Sequence, residues 1–457
     1  MLHTLRSWWQ DRLLRGILKN SSYLFSSNSA AVALSMLQGI FAARLLGAND
    51  FGILAGTVIP FASNVNRLLS FRMSELVVKY LSQFLAEGRH DRAAAVVKGA
   101  ALVEAITSVL AYLVLLLLAP WAARYLAKDA QSTSLFVFYG LVLVVMIVFE
   151  TTTGVFQVTK LFGRLAVINL IQSIITAGLI SWAFLAHRGM AEVLAAYFLG
   201  KTFTAVAMYI VAFRQLNKTL GQGWWRAPLS LMPPLREMSR FAISTNLQGT
   251  VNLVARDSET LLIGYLRSPV EAGYYKIALG LINLVMIPID PFIATTYSEI
   301  AFTIARRQWV ETKRVLKRVS VIAGGWTLAA GGGLALTGYW LIPLMYGAEY
   351  GPAYPAVLLL LVGYGFANIL YWNRPLLLAF GMPAFPLKIS TLAGAAKTAL
   401  TFGLVPVYGY LIEAAILSSY FVVSITIIAW RGLGELKQRL AVGSQLSPVS
   451  DPQPPSG

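Results

Sequence analysis

Ten charged side chains lie inside stretches of this sequence that are otherwise almost wholly apolar. Five are cations (Arg67, Lys201, Arg256, Arg374 and Lys397) and five are acids (Glu104, Glu150, Asp257, Glu259 and Asp290). Cations in such surroundings suit one chemistry above others, the holding of a polyanion. Guanidinium in particular matches phosphate oxygens two at a time. The acids are coupling or ion-pair groups: they can neutralise a cation or take up and release a proton. At about 3 kcal/mol per charge near a bilayer centre, ten unpaired charges would cost on the order of 30 kcal/mol. A folded protein is stable by only about 5–15 kcal/mol. Most of these groups must therefore pair or face a hydrated cavity.

Each charge also has a local explanation. Arg256 and Glu259 stand three apart on one helix and could neutralise each other. Asp257 points elsewhere on that helix, toward water or Lys397. Arg374 is near the end of its apolar stretch and could extend its head to the interface. Arg67 and Lys201 lie nearer mid-stretch, where such explanations are harder to find. Uncharged polar residues cluster as well, with Asn28 and Gln38 in one stretch and Asn246, Gln248 and Asn252 in another. Amides lining a cleft can bind sugar hydroxyls, and amides between helices can bind each other. The glycines at 324–325 and 331–333 lack the Lys-Ser/Thr of a phosphate loop, so close helix packing is their reading. With no cysteine and three scattered histidines, no metal site and no cofactor is expected.

These residues must be positioned by membrane helices. The chain is 57% hydrophobic and 12% charged, against about 25% charged in soluble domains. Its apolar blocks are about 20 residues long, enough to cross a bilayer as helices. Twelve spans are predicted, at residues 21–45, 51–72, 95–119, 134–158, 163–186, 191–213, 239–265, 271–294, 318–343, 353–378, 387–407 and 409–430. With both termini cytoplasmic, 26 of the 37 Lys and Arg residues fall on the cytoplasmic side and six on the other. That asymmetry predicts the orientation. It also assigns the net charge of +17 to a collar facing anionic lipid, so nucleic acid is not an expected partner.

The chain repeats itself. Arg44–Gly52 and Tyr265–Gly273 are short polar hairpins between apolar stretches, and aligning Gly52 with Gly273 gives an offset of 221 residues. Leu118-Ala-Pro-Trp and Leu341-Ile-Pro-Leu end the third and ninth spans alike. The fold class predicted is an all-α polytopic membrane protein, with about twelve transmembrane helices in two pseudo-repeated six-helix lobes around a central cleft. The divisions are a basic N-terminus at 1–20, either amphipathic on the membrane surface or simply solvated; an N-lobe at 21–213; a cytoplasmic linker at 214–238; a C-lobe at 239–432; and a tail at 433–457 with a disordered end. Pro288, Pro291 and Pro343 sit near predicted helix ends as bend points.

Ala43–Gly47 with Asp50-Phe51-Gly52 resembles the first outer hairpin of bacterial polysaccharide transporters, the flippases of lipid-linked oligosaccharides. Arg256-Asp-Ser-Glu-Thr-Leu-Leu-Ile-Gly264, followed by Gly273-Tyr-Tyr275, is similar to that family's seventh-span signature. Met345–Tyr350 and Leu376–Gly381 resemble its features around the tenth span. Glu259 stands where aspartate is commoner, and Ser268 where the repeat would give glycine. The likeness covers roughly residues 20–432. It implies that the first and seventh spans line the central cleft, and it implies kinship of fold with multidrug antiporters and the lipid II flippase.

The expected function is transfer of an undecaprenyl-diphosphate-linked oligosaccharide from the inner to the outer leaflet of a bacterial cytoplasmic membrane, by alternating access. Its partners would be the polyprenyl-diphosphate-linked glycan, membrane lipid and assembly proteins such as a polysaccharide polymerase. A cation-coupled drug or metabolite antiporter of the same fold is the alternative, although a cleft for cationic drugs should be dominated by carboxylates. A membrane enzyme would need room for catalytic residues outside the bilayer. The longest outer loop, near residues 120–133, is short and has no histidine.

Overall fold

The computed structural model describes residues 12–69, 73–234 and 257–445, with residues 236, 238, 250 and 253; side chains are described for these except at 12–29, 290, 291, 294, 295, 298 and 442–445. Every regular element among the described residues is helical. In the N-lobe they are α1 (Arg12–Phe51), a π-helical turn (Gly52–Val58), α2 (Ile59–Leu69), α3 (Met73–Ala86), α4 (His90–Tyr125), α5 (Thr133–Val145), α6 (Phe149–Val158), α7 (Phe162–Leu185) and α8 (Met190–Leu220). In the C-lobe they are α9 (Glu259–Leu266), α10 (Pro269–Met286), α11 (Asp290–Ala305), α12 (Trp309–Tyr346), α13 (Ala353–Ile369), α14 (Asn373–Ala379), α15 (Ala384–Tyr408) and α16 (Tyr410–Gln445).

Among the described residues, eight helices are long and apolar enough to cross a membrane. Twelve spans were expected; the eighth and eleventh, at 271–294 and 387–407, are helical but not among the eight, and two further differences have identifiable causes. The first of the eight, Ala30–Leu69, runs through the break at Gly47 and so unites two spans. The seventh expected span lies mostly outside the described residues. Several boundaries also move. Helix α1 already includes Arg12 and runs on into the first span, α8 continues to Leu220, and α16 includes Gln445.

Spans that sequence shows as single stretches are broken in matching places of the two lobes. The fourth parts at 146–148 between α5 and α6, and the tenth at 370–372 between α13 and α14. The eighth parts at 287–289, around Pro288, between α10 and α11. A broken helix inside a membrane exposes backbone groups that lipid cannot satisfy. Here side chains satisfy them. The Tyr209 hydroxyl donates to the Val145 carbonyl at 2.9 Å and accepts from the Val148 N–H at 3.3 Å. The Asn373 amide donates to the Leu370 carbonyl at 2.7 Å.

Three apolar cores show how the lobes meet. One is shared, joining Leu54, Leu115 and Phe136 of the N-lobe to Tyr275, Tyr350 and Leu417 of the C-lobe. The second lies in the N-lobe around Leu81 and Phe156, with Met238 of the linker packed into it, and the third lies in the C-lobe around Ile300 and Leu376. The shared core lies toward the end of the bundle that carries residues 44–52, 266–269, 346–353 and 408–410, called here the hairpin end. The second and third cores lie toward the opposite end and do not join each other.

Candidate functional site

The two repeated hairpins close the hairpin end by packing directly against each other. A Cβ on Gly52 would lie 1.9 Å from the Pro269 carbonyl oxygen, and one on Gly273 would lie 3.1 Å from the Ala48 carbonyl oxygen and 3.2 Å from the Gly52 Cα. Ala48 and Pro269 are themselves related by the 221-residue offset. Each glycine therefore abuts the repeat partner of the residue that abuts the other, as a local two-fold axis requires. Their missing side chains are what allow the backbones this close.

Hydrogen bonds across the lobes reinforce the closure. Arg44 donates to the carbonyls of Leu344 and Met345, the latter at 2.7 Å, which are unpaired acceptors at the end of α12. Glu349 accepts from the Ala48 N–H at 3.2 Å, and the Tyr350 hydroxyl donates to the Ala43 carbonyl at 3.0 Å. Gly47 turns the chain at φ +73°, whereas Ser268 at the equivalent place is extended and caps α10 with its hydroxyl on the Glu271 N–H. Different residues thus achieve the same hairpin, which explains why the missing glycine at 268 leaves the repeat intact.

Below this closure lies a cavity of about 1570 Å³ between the lobes. It runs from Phe51 and Tyr346 at the hairpin end to Pro383, Ala384 and Leu387 at the opposite end. Its wall includes Arg67, Lys201, Lys276 and Arg374, with Asp257 and Glu259 as the acids. Gln38 is also on the wall, its amide donating to the Ser173 carbonyl at 3.0 Å. Tyr139, Tyr197, Tyr346 and Tyr371 add aromatic surface with hydroxyl tips.

The cations are not equivalent. Arg67 Nη1 lies 2.8 Å from Asp257 Oδ2, a half-exposed ion pair that crosses from N-lobe to C-lobe. Lys201, Lys276 and Arg374 face the cavity with no carboxylate partner among the described residues. Lys397 is placed differently from the expectation of a cleft cation. It is 1% exposed, between Glu259 at 2.9 Å and Glu413 at 2.8 Å, and is not on the cavity wall. Its carboxylate neighbours are therefore Glu259 and Glu413 rather than Asp257.

The other acids also resolve. Glu104 is buried and accepts from the backbone N–H groups of Glu150 and Thr151 at 2.7 and 2.8 Å. It caps the N-terminus of α6, satisfying donors left free by the break in that span. Glu150 accepts from the Ser74 hydroxyl at 2.5 Å. Neither is on the cavity wall. Arg256, Asn246, Gln248 and Asn252 lie outside the described residues, as do the side chains of Asn28 and Asp290.

Two charges escaped the sequence reading. Lys276 was counted with an outer loop, yet it is well inside α10 and faces the cavity. Its position five residues into the span predicted from 271 was the available signal. Glu413 lies just inside the last predicted span, in the first turn of α16.

A family described as polysaccharide biosynthesis protein matches residues 41–355. An inner membrane protein of Escherichia coli K12, YghQ, is 23% identical over 360 residues, covering 77% of this chain and 99% of that protein. Two solved structures superpose with a TM-score of 0.69 at 12% identity. One is an inward-facing multidrug resistance MATE family transporter of the MOP superfamily, covering 90% of this chain and 96% of that one. The other is the lipid II flippase MurJ in an inward closed conformation, covering 94% of each.

Proposed function

Because the chain belongs to the polysaccharide biosynthesis protein family, and is a helical membrane protein of transporter fold, we propose that it is a flippase for a polyprenyl-diphosphate-linked oligosaccharide. It carries that lipid from the inner to the outer leaflet of a bacterial cytoplasmic membrane, with both termini cytoplasmic and the hairpin end outside. The observation that carries this reading is the charge of the cavity. Among the described residues, three cations without carboxylate partners face it, and a fourth, Arg67, is balanced by Asp257.

The fold likeness does not choose between substrates, since a drug transporter and a lipid flippase superpose equally well. Electrostatics favours the diphosphate. A cationic drug would meet uncompensated ammonium and guanidinium groups, whereas a diphosphate would be held by them. Size agrees, because about 1570 Å³ exceeds the roughly 300–1,000 Å³ of ordinary small-molecule pockets. The tyrosines and Gln38 offer stacking faces and hydrogen bonds to a glycan, while the polyprenyl tail stays in lipid.

The energetics fit outward movement. A diphosphate carries about two negative charges, and an inside-negative potential favours their exit by about 2.3 kcal/mol per charge per 100 mV. Alternating access then consists of opening the hairpin end as the opposite end closes. Deleting the gene tests the function. A lipid-linked oligosaccharide should accumulate in the cytoplasmic leaflet, protected in spheroplasts from an added glycosidase, with polysaccharide export lost. Unchanged export and no trapped intermediate would refute the reading.

A further inference from the structure

Among the described residues, the three cations that face the cavity without a carboxylate partner stand at two levels. Helices α8, α10 and α13 all begin at the hairpin end, where Val193, Ala272 and Ala353 of their first turns enter the shared core. At about 1.5 Å per residue, Lys276 of α10 lies about 10 Å from that end and Lys201 of α8 about 16 Å. Arg374 follows the whole of α13 and the break at 370–372, which puts it about 30 Å away. All three residues sit on helices that run down from the hairpin end, and helical side chains lean toward the N-terminus, so the three heads lean the same way. Arg374 therefore stands roughly 15–20 Å from either lysine along the cavity. Two phosphoryl groups with a hydrogen bond at each end span about 10 Å. One diphosphate cannot touch both levels.

The surroundings of the two levels differ as well. Lys201 comes from the N-lobe and Lys276 from the C-lobe, so both lobes contribute to the upper level. Lys276 is one turn past Gly273, which abuts Gly52 in the closed hairpins, so an anion held there lies just beneath the closure. Arg374 belongs to the opposite mouth, with Pro383, Ala384 and Leu387 on the same wall. The next residues of its helix, Pro375, Leu376 and Leu377, are buried, and Leu376 is part of the C-lobe core. The helix is thus fixed while its guanidinium is exposed to the cavity, with no described acid to balance it. Such a charge in an apolar mouth draws in an anion.

Resting on the flippase reading above, we propose that Arg374 is a separate entry site for the diphosphate. It is filled from the cytoplasmic leaflet before the anion reaches a second site between Lys201 and Lys276, beneath the hairpins. No covalent bond changes; each transfer exchanges one set of charge-assisted hydrogen bonds for another. The two sites divide the work of the cavity. Arg374 governs capture of the lipid-linked substrate, and the two lysines govern its presentation to the gate.

Thiol protection by inorganic pyrophosphate tests this on the purified full chain in magnesium-free detergent solution. The natural chain has no cysteine. Leu378→Cys and Gly280→Cys each put one thiol on the cavity wall, a turn beyond Arg374 and Lys276 respectively, and a Cβ at residue 280 meets open space. N-ethylmaleimide is uncharged, so the cations do not bias its approach. Pyrophosphate, compared with sodium chloride at equal ionic strength, should slow labelling of both thiols several-fold. Arg374→Gln should abolish protection of the Leu378→Cys thiol and leave that of Gly280→Cys intact. Lys201→Gln with Lys276→Gln should do the reverse. Arg374→Lys, a milder change, should weaken protection of Leu378→Cys alone, so either Arg374 variant that unfolds at the parent's temperature decides. Loss of protection at both thiols from an Arg374 substitution would mean one shared site and overturn the proposal. So would protection of Leu378→Cys that survives Arg374→Gln, or no protection of either thiol in the parents. The flippase reading is decided separately, by the trapped intermediate of the gene deletion.

Discussion

Substituting Gly52 by alanine places a methyl group where the closed hairpins leave no space for one. The new Cβ would lie 1.9 Å from the Pro269 carbonyl oxygen and 2.5 Å from its carbon. Both are backbone atoms, so no side-chain rotation relieves the contact. A comfortable C···O approach is about 3.3 Å, so the hairpins must part by about 1.4 Å along that line. Overpacking of this kind costs about 1–3 kcal/mol. The cost falls only on the state in which the hairpins touch; once they separate, the alanine is free. Gly52→Ala should therefore shift the balance toward the open hairpin end by roughly 5- to 150-fold. The natural chain has no cysteine, so spin labels can be placed on Asn49→Cys and Tyr408→Cys without background. Pulsed electron resonance should show a longer distance population in Gly52→Ala than in the parent, and export should fall because the carrier returns poorly. Gly273→Ala meets its nearest atoms at 3.1–3.4 Å and should give a smaller shift. Identical distance distributions in Gly52→Ala and its parent would refute the gate.

Lys201→Ala and Lys276→Ala should each lower polysaccharide export at unchanged protein abundance, with Lys→Arg retaining more activity than Lys→Ala; full export in both alanine variants would rule out the cationic wall as the headgroup site. Arg67→Ala should leave thermal stability within about 1 kcal/mol of the parent because its ion pair is half exposed, and should reduce export. Glu104→Ala should destabilise by about 1–2 kcal/mol in thermal unfolding, as expected for loss of a helix cap, with Glu104→Gln intermediate. At Asp129, in the loop after α4, hydrogen bonds from the Ser132 hydroxyl and the Gln131 N–H hold the carboxyl below its usual range. Its stabilising charge is therefore present at neutral pH and is lost as pH falls through that lowered value. Asp129→Asn should lower the melting temperature at neutral pH, and the difference should shrink in acid.

Much of this architecture was legible in the order of residues because a bilayer limits what a chain can do. Apolar blocks of spanning length, short polar connections and a 221-residue repeat imply helices in two lobes. The Gly52 and Gly273 alignment marked the two hairpins, and the structure packs them against each other. Helix breaks were harder to see. At 146–148 no proline or glycine marks the interruption, because its support comes from Glu104 and Tyr209 on other helices.

For the site, the sequence supplied the inventory of charges and the tertiary structure supplied their partners. Hydropathy and the cost of a buried ion dictate that ten charges inside apolar stretches be paired or hydrated, so the existence of an internal polar site followed from the residues alone. Which charges pair depends on contacts between residues 138 or 190 positions apart, such as Glu259 with Lys397 and Arg67 with Asp257. Helical periodicity is local and carries no information at that range. Only the packing of α9 against α15 and α16 made Lys397 part of a buried cluster, and only the register of α10 turned Lys276 toward the cavity.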